Sequence, residues 1–239
     1  MNKDTFIWTD LSCYDPKQST EFYKGVFGWS FEETTGYFTG HNGHEAIAGI
    51  YETPDFFKKI NMPHFWMNYI QVRDTSTCVH EAKKLGAIIE IENESFYGGQ
   101  IALIRDPMGA GFTIYDGVQL RQSSTFSHGC VIGRELHVSD ANMVIDFYGE
   151  LFNWTFHMDH DHKVYKIQSQ DGLEVGQMME LANSDKGKFE YWTTIFAVDS
   201  LEKTLNILRN LGGLVISDEG NRKLCTDHSG EAFFYITEI

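Results

Sequence analysis

The chain has 239 residues, 42 % of them hydrophobic and 14 % aromatic, enough to fill a core and to exclude disorder as its main state. Nineteen basic residues against 34 acidic ones leave a net charge of −15, which argues against nucleic acid and anionic membrane as partners. No run approaches the roughly 18 consecutive apolar residues of a membrane helix. The first residues lack a basic-then-apolar leader, and Cys13, Cys78, Cys130 and Cys225 stand apart without a CxxC pair. A reduced, cytoplasmic protein is expected.

In chain order, Leu11-Ser-Cys-Tyr-Asp15 alternates and ends in an aspartate suited to cap a helix. Pro16 follows at the first helical position, where its missing N–H costs nothing. Phe22, Val26 and Phe27 then fall on one helical face. Three short strands are predicted next, Trp29–Glu33, Tyr37–Thr39 and Ala46–Tyr51, with Gly36 and the His41-Asn-Gly43 turn between them. The order then returns: Ile70-Gln-Val-Arg-Asp74, a helix with Val79, Ala82 and Leu85 closed by Gly86, and strands at Ile88–Ile91, Ile101–Ile104 and Phe112–Tyr115. The polar stretch Gly117–Gly129, with Gln119, Arg121, Gln122, Ser123, Ser124 and Ser127, reads as a linker. Beyond it the pattern appears twice more, through Leu136-His-Val-Ser-Asp140 and Ile195-Phe-Ala-Val-Asp199. The last helix carries Leu201, Leu205, Leu208 and Leu211 before Gly212-Gly213.

The repetition is regular. Asp15, Tyr23, Trp29 and Asp74 recur as Asp140, Tyr148, Trp154 and Asp199, all at an offset of 125. Asp106-Pro-Met-Gly109 and Asp227-His-Ser-Gly230 match at 121, so one loop is shorter in the second copy. Within each half the pre-helix aspartates stand 59 apart. The chain is a tandem of two halves, each built of two βαβββ units.

Four such units, with D-P-x(5)-F-Y-x(3)-F-G-W over residues 15–29, resemble the vicinal oxygen chelate superfamily, which includes glyoxalase I, extradiol dioxygenases and bleomycin-resistance proteins. The resemblance spans essentially the whole chain. It implies an α+β fold of two glyoxalase-like modules, each a cupped mixed sheet with helices outside and a ligand on the concave face. The first module is expected at 1–117, a linker at 118–129 and the second module at 130–239. With each module closing its own core, a fragment ending at Asp116 is expected to be soluble but weakened.

Family enzymes hold a divalent metal through His, Gln or Glu from the first strand, seven residues before the pre-helix aspartate, and from the last strand of each unit. Counted that way, the first-strand positions are Trp8, Met67, Gly133 and Trp192, and the last-strand positions Gly49, Thr113, Gly176 and Phe234. Neither these nor the neighbours Phe65, Asn68, Arg134 and Thr193 make a ligand set, so no metal and no cofactor are expected.

Alternation puts Trp8, Asp10 and Ser12 on one side of the first strand. Asp10 recurs as Glu135, and the matching positions in the paired units are Tyr69 and Thr194. Each module is thus expected to set one carboxylate beside one hydroxyl. Trp8 and Trp192 are candidates to line the cups, whereas Trp29 and Trp154 are expected in the core. Asp10 and Glu135 are candidate general bases or polar anchors; the alternative is that each acid satisfies backbone donors or an arginine in its own module.

His157-Met-Asp-His160-Asp-His162 has a metal-like composition but falls at a hairpin tip, where a solvated turn is expected, as for His41 and His44. Cys13 and Cys225, with no matched histidine base, are expected as core residues. Two functions stay open. One is metal-free binding of a small organic molecule, as in bleomycin-resistance proteins. The other is a lyase or isomerase, or a dioxygenase-like enzyme, acting on a small carbonyl or aromatic compound. Either implies a small-molecule partner and a monomer or homodimer.

Overall fold

A computed structural model describes residues 4–95, 97–123, 125–160 and 164–239. The first half runs β1 (Phe6–Cys13), α1 (Pro16–Phe27), β2 (Ser30–Thr34), β3 (Tyr37–Asn42), β4 (Glu45–Glu52), α2 (Asp55–Lys59), β5 (Phe65–Gln71), α3 (Thr75–Lys84), β6 (Ile88–Glu94), β7 (Gln100–Arg105) and β8 (Gly111–Tyr115). The second half runs β9 (Val131–Val138), α4 (Asn142–Phe152), β10 (Thr155–Asp159), β11 (Val164–Gln168), β12 (Glu174–Glu180), α5 (Asn183–Lys186), β13 (Tyr191–Val198), α6 (Leu201–Asn210), β14 (Leu214–Asp218), β15 (Arg222–Thr226) and β16 (Phe233–Glu238). The βαβββ order holds four times. The additions are α2 and α5, single-turn helices too short to show a periodic signal.

Among the described residues the strands form two eight-stranded sheets with the same order. The first is β2-β3-β4-β1-β5-β8-β7-β6 and the second β10-β11-β12-β9-β13-β16-β15-β14. Within each βαβββ unit the first strand pairs in parallel with the last, as β1 does with β4 and β13 with β16. The remaining strands follow as antiparallel hairpins. This is the α+β architecture expected, and no helix among the described residues is long and apolar enough to cross a membrane.

The helix ends show why the repeat reads as it does. Asp15 caps α1 by accepting the N–H of Gln18 at 3.1 Å, and Asp74 caps α3 by accepting that of Thr77 at 2.6 Å. At the end of α1 Gly28 turns left-handed at φ 72°, and its counterpart Asn153 does the same at φ 56° after α4. Asparagine is the side chain that best tolerates this conformation, so FGW and FNW are equivalent. The fourth unit departs from the expected register. Ser200, not Asp199, caps α6, with the extended backbone of Asp74 (φ −153°, ψ 115° against −152°, 112°). Asp74 therefore corresponds to Ser200, and the offset there is 126.

The compact units do not follow the halves of the sequence. One is formed by Trp8–Met67, Gln122–Gly133 and Thr194–Ile239, the other by Met1–Ile7, Asn68–Arg121 and Arg134–Thr193. The core of the former packs Phe22, Tyr23, Phe27 and Trp29 with Phe196, Leu205, Leu208 and Phe234; the Phe27 and Phe196 rings lie 4.8 Å apart. The core of the latter packs Ile70, Val79 and Phe112 with Phe147, Tyr148, Phe152 and Trp154. Trp29 and Trp154 are buried in these cores, as expected. So are Cys13 and Cys225, whose thiols burial pushes up to about 12, far from a reactive thiolate.

Candidate functional site

Strand alternation sorts the candidate residues by face. On β1, Leu11 and Cys13 pack into the core with α1, so Trp8, Asp10 and Ser12 occupy the other face. Asp10 is 3 % exposed, and its Oδ1 accepts two hydrogen bonds, from Trp8 Nε1 at 2.6 Å and from Tyr37 Oη at 2.5 Å. Trp8 Nε1 also lies 2.9 Å from Tyr37 Oη. An indole N–H only donates, so the direction is settled: Trp8 donates to both oxygens and Tyr37 donates to the carboxylate.

Gly49 lies opposite Asp10 on the parallel strand β4, and a Cβ there would collide with Tyr37 Oη and Asp10 Oδ1. Glycine is required because the acid–phenol pair rests on that backbone. Tyr51 stacks near Tyr37, with centroids 6.4 Å apart and planes at 10°. Burial, and then the charge of Asp10, pushes its phenol above the ordinary range. Ser12 Oγ lies 2.9 Å from Thr53 Oγ1.

On β9, Leu136 and Val138 enter the core with α4, which leaves Glu135 and His137 on the other face. Glu135 is fully buried. Its Oε1 lies 2.6 Å from His137 Nε2, and its Oε2 accepts from Gln177 Nε2 on β12. His137 Nδ1 lies 2.9 Å from Tyr191 Oη, whose residue is half-buried. An ionised Glu135 can only accept, so His137 donates to it from Nε2, and in the neutral imidazole Nδ1 accepts a hydrogen bond from the Tyr191 hydroxyl. The result is a directed hydroxyl–imidazole–carboxylate chain. The neighbouring Arg134 is buried with its guanidinium 5.5 Å over the Phe6 ring, and desolvation lowers it to about 9.

Two of the residues chosen from the sequence lie on the core face instead. Trp192 is 3 % exposed and donates to Tyr148 Oη at 2.8 Å within the aromatic core. Thr194 Oγ1 lies 3.2 Å from Thr9 Oγ1, on the side of Phe196 and Val198. The cause is the one-residue slip at Ser200. With the corrected offset Trp192 corresponds to Trp66, which likewise donates to a tyrosine, Tyr23, at 3.1 Å. Tyr69, opposite Thr113 on β8, stays on the face away from Ile70 and corresponds to Ile195 rather than Thr194.

Strand pairing also revises two last-strand positions. Asp10 faces Gly49 and Tyr69 faces Thr113, but Glu135 faces Gln177 and Ile195 faces Tyr235, in place of Gly176 and Phe234. The first-strand set becomes Trp8, Met67, Gly133 and Thr193.

His137, Tyr37, Gln177 and Tyr191 were missed by sequence reasoning. His137 had a usable signal, since it stands two residues from Glu135 on one strand face. Of the histidine-rich hairpin, His162 lies outside the described residues, as does Ser124 of the linker. His157 is exposed with Nε2 3.2 Å from Thr155 Oγ1.

Residues 5–114 match the sequence profile described as the Glyoxalase/Bleomycin resistance protein/Dioxygenase superfamily. The first half of the chain thus matches that superfamily. Relatives align along most of the chain. "Putative glyoxylase CFP32" of Mycobacterium tuberculosis is 25 % identical over 222 residues, covering 88 % of this chain and 84 % of the relative. "Anthracycline biosynthesis protein DnrV" of Streptomyces peucetius is 23 % identical over 252 residues, covering 95 % and 90 %.

Solved structures of superfamily enzymes share the fold. A homoprotocatechuate 2,3-dioxygenase from B. fuscum superposes with a TM-score of 0.65 at 11 % identity, over all of this chain and 72 % of that one. The Mn(II)-bound glyoxalase from Novosphingobium aromaticivorans gives 0.64 at 10 % identity, over 99 % and 82 %. At the eight superfamily ligand positions, as the strand register now places them, this chain presents one amide (Gln177), three hydroxyls (Thr113, Thr193 and Tyr235), one indole (Trp8), one thioether (Met67) and two glycines (Gly49 and Gly133). No group of three or more His, Cys, Asp or Glu converges among the described residues.

Proposed function

We propose that the protein binds a small organic molecule through side-chain donors and acceptors, with Asp10 as an anchor, rather than through the superfamily's divalent metal. The observation that carries this is the donor set itself. A divalent ion in such a site needs three or four converging donors, mainly imidazole, carboxylate or amide side chains. The register supplies one amide (Gln177), one thioether (Met67) and hydroxyls, a set without imidazole or carboxylate that does not fit such an ion. Asp10 is held in place by Trp8 and Tyr37, in an aromatic setting where a charge-assisted hydrogen bond to a ligand is strong.

Chelator dialysis is expected to leave the melting temperature unchanged, because no metal-binding energy is linked to folding. A stoichiometric, chelator-sensitive metal would return the chain to the metalloenzymes. A thermal-shift screen of small carbonyl and aromatic compounds identifies a ligand by mass action. Asp10→Asn is then expected to weaken its binding by about 1.5–3 kcal/mol, roughly 10- to 150-fold in Kd. Equal binding by wild type and variant would remove Asp10 from the site.

The Tyr191–His137–Glu135 chain favours a second reading, a lyase or isomerase acting on a small carbonyl compound. Such a chain orients an imidazole for proton transfer. In that case Glu135→Gln lowers turnover by roughly 10²–10⁴-fold with little change in KM.

A further inference from the structure

His64 stands between α2 and β5 and is 8 % exposed. Its Nε2 accepts the backbone N–H of Tyr14 at 3.2 Å, while its own backbone N–H donates to Glu231 Oε2 at 3.0 Å. Tyr14 Oη in turn donates to Met62 O at 2.9 Å, and its ring centroid lies 5.0 Å from the imidazole. Three contacts thus hold the end of this segment, and one of them depends on an unprotonated nitrogen. A ring nitrogen that accepts carries no proton, so neutral His64 is the Nδ1–H tautomer. Among the described residues that Nδ1 is buried without a partner, and so is Asp227 Oδ2 in the same compact unit. One is a donor and the other an acceptor.

The charged and titratable groups around His64 come from three elements. Tyr14 lies in the turn before α1, and Lys58 of α2 sits 5.8 Å over its ring. Asp227, His228 and Glu231 belong to the turn between β15 and β16. Burial is the largest influence and holds the imidazole below its ordinary 6.5; Asp227 and Glu231 pull the other way, and His228 adds to burial.

We propose that His64 is an acid-released latch on the segment between α2 and β5. In the neutral state it ties the segment to the Tyr14 backbone. A proton taken from solvent onto Nε2 removes that acceptor, sets N–H against N–H, and draws the imidazolium towards the Asp227 carboxylate. The segment leads directly into β5, which carries the ligand-position residue Met67. Because the folded state binds this proton more weakly than the unfolded chain, the stability His64 contributes is present above about 6.5 and is lost as the pH falls below it.

Amide hydrogen exchange on the full chain, corrected for the intrinsic rate, tests the latch at about pH 7.5 and pH 5. The Tyr14 amide is expected to lose at least about tenfold protection on acidification of the wild type. In His64→Gln a side-chain oxygen accepts the same N–H without titrating, so protection is expected at both pH values. Equal responses in the two proteins overturn the proposal. Imidazole ¹⁵N spectra of the wild type at neutral pH need no variant: an Nδ1–H tautomer supports the latch, and an Nε2–H tautomer overturns it.

Discussion

Asp106→Ala is expected to lower the unfolding free energy by about 3–5 kcal/mol at about pH 5, measured by urea denaturation. Asp106 is 2 % exposed and stitches the turn between β7 and β8. Its Oδ1 accepts the N–H groups of Met108, Gly109 and Ala110 at 2.9, 2.8 and 2.9 Å. Its Oδ2 accepts from Tyr148 Oη at 2.9 Å, and Tyr148 accepts from Trp192. Alanine leaves the buried Tyr148 hydroxyl without its hydrogen-bond partner and three N–H groups without their acceptor, each a desolvation cost of about 1–3 kcal/mol, reduced where the turn relaxes towards water. Asp106→Asn keeps an acceptor for the three N–H groups and is expected to lose much less.

The pH dependence has a definite sign. Burial, opposed by the Tyr148 and backbone hydrogen bonds, raises the carboxyl from 3.8 to about 6. The folded state therefore holds the proton more tightly than the unfolded chain. Its contribution is complete below 3.8 and is lost as the pH rises to about 6, a change of about 3 kcal/mol. The alanine deficit should shrink by about 1 kcal/mol between pH 5 and pH 7. A deficit that grows over that range would contradict the buried, raised carboxyl.

We propose that residues 1–117 and 130–239 are units of repetition and of sheet but not of folding. A fragment of residues 1–117 is expected to show no cooperative thermal transition by circular dichroism. It keeps Phe22, Tyr23, Phe27 and Trp29 but lacks Phe196, Leu201, Leu205, Leu208, Phe234 and Ile236, which share their cluster. At about 1.5–3 kcal/mol per buried side chain, those six account for roughly 9–18 kcal/mol, as much as the whole stability of an ordinary domain. The cluster around Ile70, Val79 and Phe112 loses Phe147, Tyr148, Phe152 and Trp154 in the same way. Mixing the two halves should restore a transition. A cooperative transition of residues 1–117 alone, the weakened module expected from its length, would show that the cores close within a half.

The tandem repeat, the four βαβββ units, the superfamily and the core roles of Trp29 and Trp154 were all legible in the sequence. These properties rest on local signals: caps such as Asp15, the helical spacing of Phe22, Val26 and Phe27, and turn residues such as Gly28 and Asn153. Placing Asp10 and Glu135 away from the core also needed only strand alternation within β1 and β9.

Tertiary structure alone decided the rest. A strand has period two, so reading Asp199 for Ser200 moved Trp192 and Thr194 to the wrong face without disturbing the hydrophobic pattern. The partners of the two acids could not be read locally either. Tyr37 reaches Asp10 because β3 pairs with β4 and β4 with β1, and Gln177 reaches Glu135 because β12 pairs with β9. Nor could the composition of the cores be read, since Phe27 meets Phe196 across a separation of 169 residues. Burial of apolar surface has no direction along the chain, and only the completed packing selects which repeat closes over which.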